Sequence, residues 1–329
     1  MNPLLKTGAF AAALAAVCGT AYGVGTAIGP HGLDPAPVAA GHDDRHNPAG
    51  ETDTATRGTG DAVPAGLQVA QDGYALDLET GTVPAGPDRT LRFTVRDADG
   101  DPVTRFTTAH GKQLHLIVAS RELTTYRHLH PVRAADGTWS TPVDLPDAGG
   151  YRVFADFVPA DREEKDDGKS QAGLTLGSDL TVTGPYRAAQ PSAPAATTTV
   201  DGYAVSLRGT LRPGTASELT FTVRRDGRPV TGLQPYLGAY GHLVALRAGD
   251  LAYLHVHPHE EAHATALSGP DVAFTADAPS AGTYRLFLDF KVDGTVRTAA
   301  FTVRVGAQPP ASPPPAPTPE HGTGAPHGH

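Results

Sequence analysis

Six histidines in this 329-residue chain recur at one spacing. In the first half, His115-Leu116 precedes Tyr126-Arg127-His128-Leu129-His130-Pro131. In the second half, His242-Leu243 precedes Tyr253-Leu254-His255-Val256-His257-Pro258. In both copies the first His stands thirteen residues before the second and fifteen before the third. A neutral imidazole offers one ring nitrogen to a metal while the other is fixed by a hydrogen bond. Each copy is followed by a Tyr-Arg-x-Phe-x-Asp-Phe stretch that ends in Asp156 or Asp289. These carboxylates are candidates for a fourth ligand or for orienting a ligand His. Imidazoles with a carboxylate suit Zn(II) or Cu(II), and three imidazoles with an open position can also activate water. The candidate ligands are therefore His115, His128, His130 and Asp156 in one set, and His242, His255, His257 and Asp289 in the other.

Strands are needed to bring such residues together. Residues two apart on a strand share a face, so His255 and His257 point the same way. Gly249-Asp250 suits a two-residue type II′ hairpin turn. That turn predicts His242 directly across from His257, with His255 diagonal. Leu243, Leu254 and Val256 then face a core, and the His share the opposite, outer face. The same geometry is expected for His115, His128 and His130, although Glu122-Leu123 is a poorer turn and fits a longer loop. Asp156 and Asp289 fall on the outer face of a nearby strand. The competing account is structural: strand His are often surface or hydrogen-bonded residues, and the two Asp would then pair with Arg. His259 and His263 read as exposed loop residues. His110 has no counterpart, since Leu237 stands at its place, and it is left out of the set.

The rest of the chain repeats as well. Gly73-Tyr74 returns as Gly202-Tyr203, the Leu91–Arg96 strand as Leu219–Arg224, and the Asp99-Gly100 turn as Asp226-Gly227. Alternating apolar residues, frequent turns and 38 Gly with 30 Pro predict short strands rather than helices. Asp147-x-Gly149-x-Tyr151 and Ser280-x-Gly282-x-Tyr284 read as tyrosine corners of immunoglobulin-like sandwiches. The fold class expected is all-β: two tandem immunoglobulin-like β-sandwich domains, residues 67–183 and 200–306, after an N-terminal apolar helix. Residues 31–66 and 184–199 read as linkers, and 161–170 as a charged surface loop. Residues 307–329 form a Pro-rich tail ending in His321, His327 and His329, a composition that builds no core.

Residues 7–30 carry no charge and follow Lys6. A run of that length can span a bilayer at about 1.5 Å per residue. We expect residues 1–30 to be a single-pass membrane anchor with the remainder extracytoplasmic, the alternative being a cleaved signal and a secreted protein. The one cysteine, Cys18, falls in that run, and the one Met is the initiator. Disulfides, thiolate sites and thioether copper ligands are thereby excluded from the exported part. A net charge of −9 excludes broad electrostatic attraction to nucleic acid.

The His-Leu … Tyr-x-His-x-His-Pro pattern, with the Tyr-Arg-x-Phe-x-Asp-Phe strand after it, resembles a family of bacterial extracytoplasmic proteins, secreted or membrane-anchored. Some of them are associated with heavy-metal or copper handling. The resemblance spans residues 67–306 and implies a metal-binding carrier, buffer or sensor. A second reading is a structural or adhesive surface protein whose domains bind another protein, with the His serving the fold. A hydrolytic metalloenzyme ranks third. No Gly-x-Ser-x-Gly element or nucleotide loop is present, and the His259-Glu260-Glu261-Ala262-His263 letters fall in a stretch read as exposed loop rather than on a His-Glu-x-x-His helix, so a non-enzyme is expected.

Overall fold

The structure, a computed structural model, describes residues 63–160, 173–259, 262 and 266–306, without the side chain of His255. The anchor segment, most of the first linker, the 161–170 loop, His263 and the His-containing tail lie outside the described residues. Among those described, no helix is long and apolar enough to cross a membrane.

The described chain is all-β. In the first repeat the strands are β1 (Ala70–Gln71), β2 (Tyr74–Leu78), β3 (Thr82–Pro84), β4 (Gly86–Arg96), β5 (Phe106–Thr107), β6 (Leu114–Ser120), β7 (Tyr126–Leu129), β8 (Val132–Arg133), β9 (Thr138–Leu145), β10 (Gly149–Pro159) and β11 (Leu174–Thr183). In the second they are β12 (Thr197–Val200), β13 (Tyr203–Arg208), β14 (Ser217–Arg225), β15 (Arg228–Pro229), β16 (Gly241–Arg247), β17 (His255–Pro258), β18 (Asp271–Asp277), β19 (Gly282–Val292) and β20 (Thr295–Val305). The first sandwich stacks the sheet β1-β2-β4-β9-β8 on β3-β11-β10-β6-β7. The second stacks β12-β13-β14-β18-β17 on β16-β19-β20.

Period-two alternation builds each core. Leu91, Phe93 and Val95 from β4 meet Leu116, Val118, Tyr151 and Val153 inside the first sandwich. Leu219, Phe221 and Val223 meet Leu243, Ala245, Tyr284 and Leu286 inside the second. The tyrosine corners form: the Tyr151 hydroxyl donates to Asp147 O at 2.8 Å, and Tyr284 to Ser280 O at 2.9 Å. Asp226 and Gly227 both take positive φ, 50° and 74°, between the paired residues Arg225 and Arg228. That is the two-residue hairpin geometry expected of Asp-Gly.

The other faces of two sheets meet each other. Ile117, Ala119, Leu123, Tyr126 and Phe154 of the first sandwich form one buried cluster with Val244, Leu246, Leu251 and Phe287 of the second. Tyr126 stacks on Phe287 with centroids 4.1 Å apart and planes at 5°. The face expected to point outward is thus an interface between the repeats. The Arg285 guanidinium crosses it to donate to Leu123 O at 3.3 Å.

Two local expectations are corrected. Arg247 N donates to Ala252 O, so the Gly249-Asp250 turn is part of a four-residue loop with Leu251 at φ 64°. The matching loop in the first repeat closes from Ser120 N to Thr125 O, with Leu123 at φ 56°. Leu246 bridges Tyr253 in the expected register, but the chain then leaves that ladder. β17 pairs with β18 on the opposite sheet, with His255 at Asp277 and His257 at Thr275. His242 therefore does not oppose His257. Tyr253 N instead donates to Ala65 O at 2.9 Å, so the segment entering the first sandwich takes the place beside Tyr253.

Candidate metal centre

In the first repeat β7 stays with β6, pairing Leu116 with Leu129 and Ile117 with His128. Alternation then puts His115, Ile117 and His128 on one face, with Leu116 and Leu129 turned to the core. His130, one residue past β7, continues that face. The three rings converge. Their centroids lie 5.3 Å apart for His115–His128, 5.2 Å for His115–His130 and 4.9 Å for His128–His130. One nitrogen from each lies within 4.8 Å of the others. Tetrahedral ligation at about 2.0–2.1 Å per nitrogen would place ring centroids about 5 Å apart, so the triad already has nearly the right spacing.

The hydrogen bonds fix which nitrogens are free. His115 Nε2 lies 3.2 Å from Ala109 O, and a carbonyl only accepts, so Nε2 carries the proton. His128 Nδ1 lies 2.8 Å from Asp289 Oδ2, and a carboxylate likewise accepts. Neutral rings with these tautomers have their lone pairs on His115 Nδ1 and His128 Nε2, which face each other at 3.1 Å. Two lone pairs at that distance repel unless a proton or a metal cation sits between them. The buried Nε2 of His130 has no hydrogen-bond partner. Burial foremost, with nearby His128 next, pushes His115 down to about 3 and His130 down to about 4. These two rings are accordingly neutral at neutral pH, as ligation requires.

The second repeat supplies part of the same site. Asp156 pairs across the sheet with His115, and Asp289 with His242. Thr175 and Thr298 flank the two Asp on the next strand. Their hydroxyls donate to Asp156 Oδ1 at 3.1 Å and to Asp289 Oδ1 at 2.5 Å. His-Asp-Thr rows thus recur in both repeats, but only Asp289 reaches a ring of the triad. The buried pair His128–Asp289, 6% and 3% exposed, joins the two sandwiches. Burial raises the Asp156 carboxyl above its ordinary value. His242 donates from Nε2 to Leu237 O at 3.1 Å, leaving Nδ1 free, and burial followed by His128 pushes its pKa down to about 4. Its ring is 6.1 Å from both His115 and His128.

Of the eight residues expected from sequence, the structure gathers His115, His128, His130, His242 and Asp289 in one place. Asp156 borders a cavity of about 70 Å³ with His110, His115, His128 and His242. His257 lines an adjoining cleft of about 430 Å³. His255 is placed on β17 by its backbone alone, and its side chain lies outside the description. Among the described side chains, the cluster that forms lies between the repeats, with the triad from the first and Asp289 from the second.

Two neighbours were missed. His110 lies 6.1 Å from the His115 ring and 5.4 Å from His242. His110-Gly111 takes φ 50° and 73°, and Leu237-Gly238 takes 54° and 80°. Each pair forms the same tight turn ahead of its His strand, and that shared x-Gly signal places His110 beside the cluster. Tyr236, 5.8 Å from His242 and 6.3 Å from His130, has its pKa pushed up to about 12 by burial and by Asp289.

No curated protein matches. Among solved structures, the Escherichia coli adhesin FdeC is 18% identical over 72% of this chain, with a TM-score of 0.23. The match spans 65% of the FdeC chain, just under two thirds of its length. A copper-bound variant of FetP from uropathogenic E. coli strain F11 is 16% identical over 37% of this chain and 97% of its own, at a TM-score of 0.24. Invasin, a bacterial integrin-binding protein, is 16% identical over 72% of this chain and 41% of its own, at 0.20. A family model described as a domain of unknown function, DUF8832, matches twice, at residues 68–167 and 198–307, so this chain belongs to that family as a tandem duplication.

Proposed function

We propose that this protein is an extracytoplasmic, membrane-anchored metal-binding protein that holds a divalent ion, Cu(II) or Zn(II), on His115, His128 and His130. One observation carries the reading: His115 Nδ1 and His128 Nε2 face each other at 3.1 Å, while the other nitrogen of each ring is held by an oxygen acceptor. The buried, partnerless Nε2 of half-buried His130 supports it. Imidazole ligands without thiolate or thioether favour these borderline ions. The role is binding, as a carrier, buffer or sensor, rather than catalysis.

The second reading is a surface protein whose tandem sandwiches bind another protein. It is favoured by the apolar seam that holds the two repeats together, which suits a rigid two-domain display module. Titration of the exported region with Cu(II) and Zn(II), with the bound ions counted, separates the two. The metal reading expects tight binding that His130→Ala abolishes. No binding by the folded wild type would leave the second reading.

A further inference from the structure

Building on the triad reading, we propose that His242 of the second repeat is the fourth ligand, so that one ion is shared between the two sandwiches and fastens them together. Four observations point there. The Nδ1 of His242 carries its lone pair, because Nε2 donates to Leu237 O. His115 is held the same way by Ala109 O, so the first His of each repeat keeps the same nitrogen free of its backbone carbonyl. A cavity of about 70 Å³ lies among His110, His115, His128 and His242, which leaves room for an ion beside the triad. Asp289 of β19, the direct pairing partner of His242 on β16, already orients His128 of the other sandwich. The second repeat therefore reaches the site from two adjacent strands.

The distances define what binding must do. The three triad rings are 4.9–5.3 Å apart, whereas His242 is 6.1 Å from His115 and His128. Joining the shell requires His242 to approach by about 1 Å, the centroid spacing of tetrahedral imidazoles being about 5 Å. On β16 it alternates onto the same face as Val244 and Leu246, which belong to the seam. Drawing it inward tightens the contact between β16 and the β6–β7 pair. The ion thus acts on the domain interface as well as on the first repeat. The duplication supplies a ligand to a shared site instead of a second site. β17 pairs with β18 on the far sheet, which removes its strand from the ladder that β7 keeps with β6.

The test uses the exported chain, wild type and His242→Ala, with His259→Ala as a control; the His259 ring is bonded to Thr275 at 2.7 Å, away from the triad. Circular dichroism establishes that each is folded. Cu(II) and Zn(II) affinities come from chelator competition, and the nitrogen count from electron paramagnetic resonance of the Cu(II) form. Hydrogen exchange at the β16 amides is compared with and without Zn(II). The expected result is one ion per chain and four coupled nitrogens in wild type. His242→Ala should show three, bind at least tenfold more weakly and lose metal-dependent protection of β16. His259→Ala should match wild type. Wild-type affinity in His242→Ala, or two ions per chain, overturns the shared site and leaves the triad standing. Absence of binding by wild type overturns both.

Discussion

Asp289→Ala tests the electrostatic logic of the site most directly. The carboxylate accepts from His128 Nδ1 at 2.8 Å and from the Thr298 hydroxyl at 2.5 Å, and it is buried. Its removal frees His128 to turn or to change tautomer, and either change takes the Nε2 lone pair away from His115. Loss of a partner that orients a ligand His typically costs 10–100-fold in metal affinity, or about 1.4–2.7 kcal/mol. The folded protein without metal is also weakened. A buried donor left without its acceptor costs about 1–3 kcal/mol. Asp156→Ala is the internal control, since Asp156 holds the same register place in the other repeat but accepts from Thr175 rather than from a triad ring. Chelator competition measures affinity, and urea unfolding without metal measures stability. We expect Asp289→Ala to bind 10–100-fold more weakly, and Asp156→Ala to stay within about threefold of wild type. Equal affinities for Asp289→Ala and wild type would refute the argument that the interdomain carboxylate sets the His128 tautomer.

Two further outcomes follow from burial. His115 is neutral in the fold down to about pH 3, against 6.5 for the free side chain. As pH falls from 6.5, the unfolded chain takes up a proton that the folded chain refuses. Its contribution to stability is therefore intact above 6.5 and is lost progressively toward 3. At about 1.4 kcal/mol per pKa unit the loss is several kcal/mol, read as a falling urea midpoint; a flat midpoint between pH 6.5 and 4 would contradict the buried neutral imidazole. Tyr126 stacks on Phe287 while its hydroxyl is buried without a partner. Tyr126→Phe should leave stability unchanged or raise it by up to about 1 kcal/mol, whereas Tyr126→Ala should lose about 3–5 kcal/mol. Destabilisation by the Phe variant would show that the hydroxyl is bonded.

The all-β architecture was legible because its signals are local. Leu91, Phe93 and Val95 alternate, Asp226-Gly227 specifies its turn, and Tyr151 and Tyr284 close corners within four residues of their acceptors. Strand parity was legible too: Leu116 and Leu243 face the cores as alternation requires. What alternation cannot tell is what covers a sheet's other face. Ile117, Ala119, Phe154, Val244 and Phe287 are apolar on the supposedly outward face. Those residues were the available sign that the face is buried, and the His drew the reading toward solvent instead.

Reading two sites assumed that each repeat closes on itself. Residues duplicated in sequence keep their place within a domain, as the His115–Asp156–Thr175 and His242–Asp289–Thr298 rows show. They do not keep their partners once two copies pack face to face, because each copy then meets the other instead of solvent. Asp289 turns to His128 across the seam, and the strand of His255 and His257 joins the far sheet at Asp277 and Thr275. The His-x-His spacing was equal in both repeats, so sequence offered no reason to separate them. The difference arises from pairing: β7 remains beside β6, while Tyr253 is taken by Ala65 and β17 by β18. The proposed metal centre would draw on both repeats of one chain, because His115, His128 and His130 come from one sandwich and His242 and Asp289 from the other.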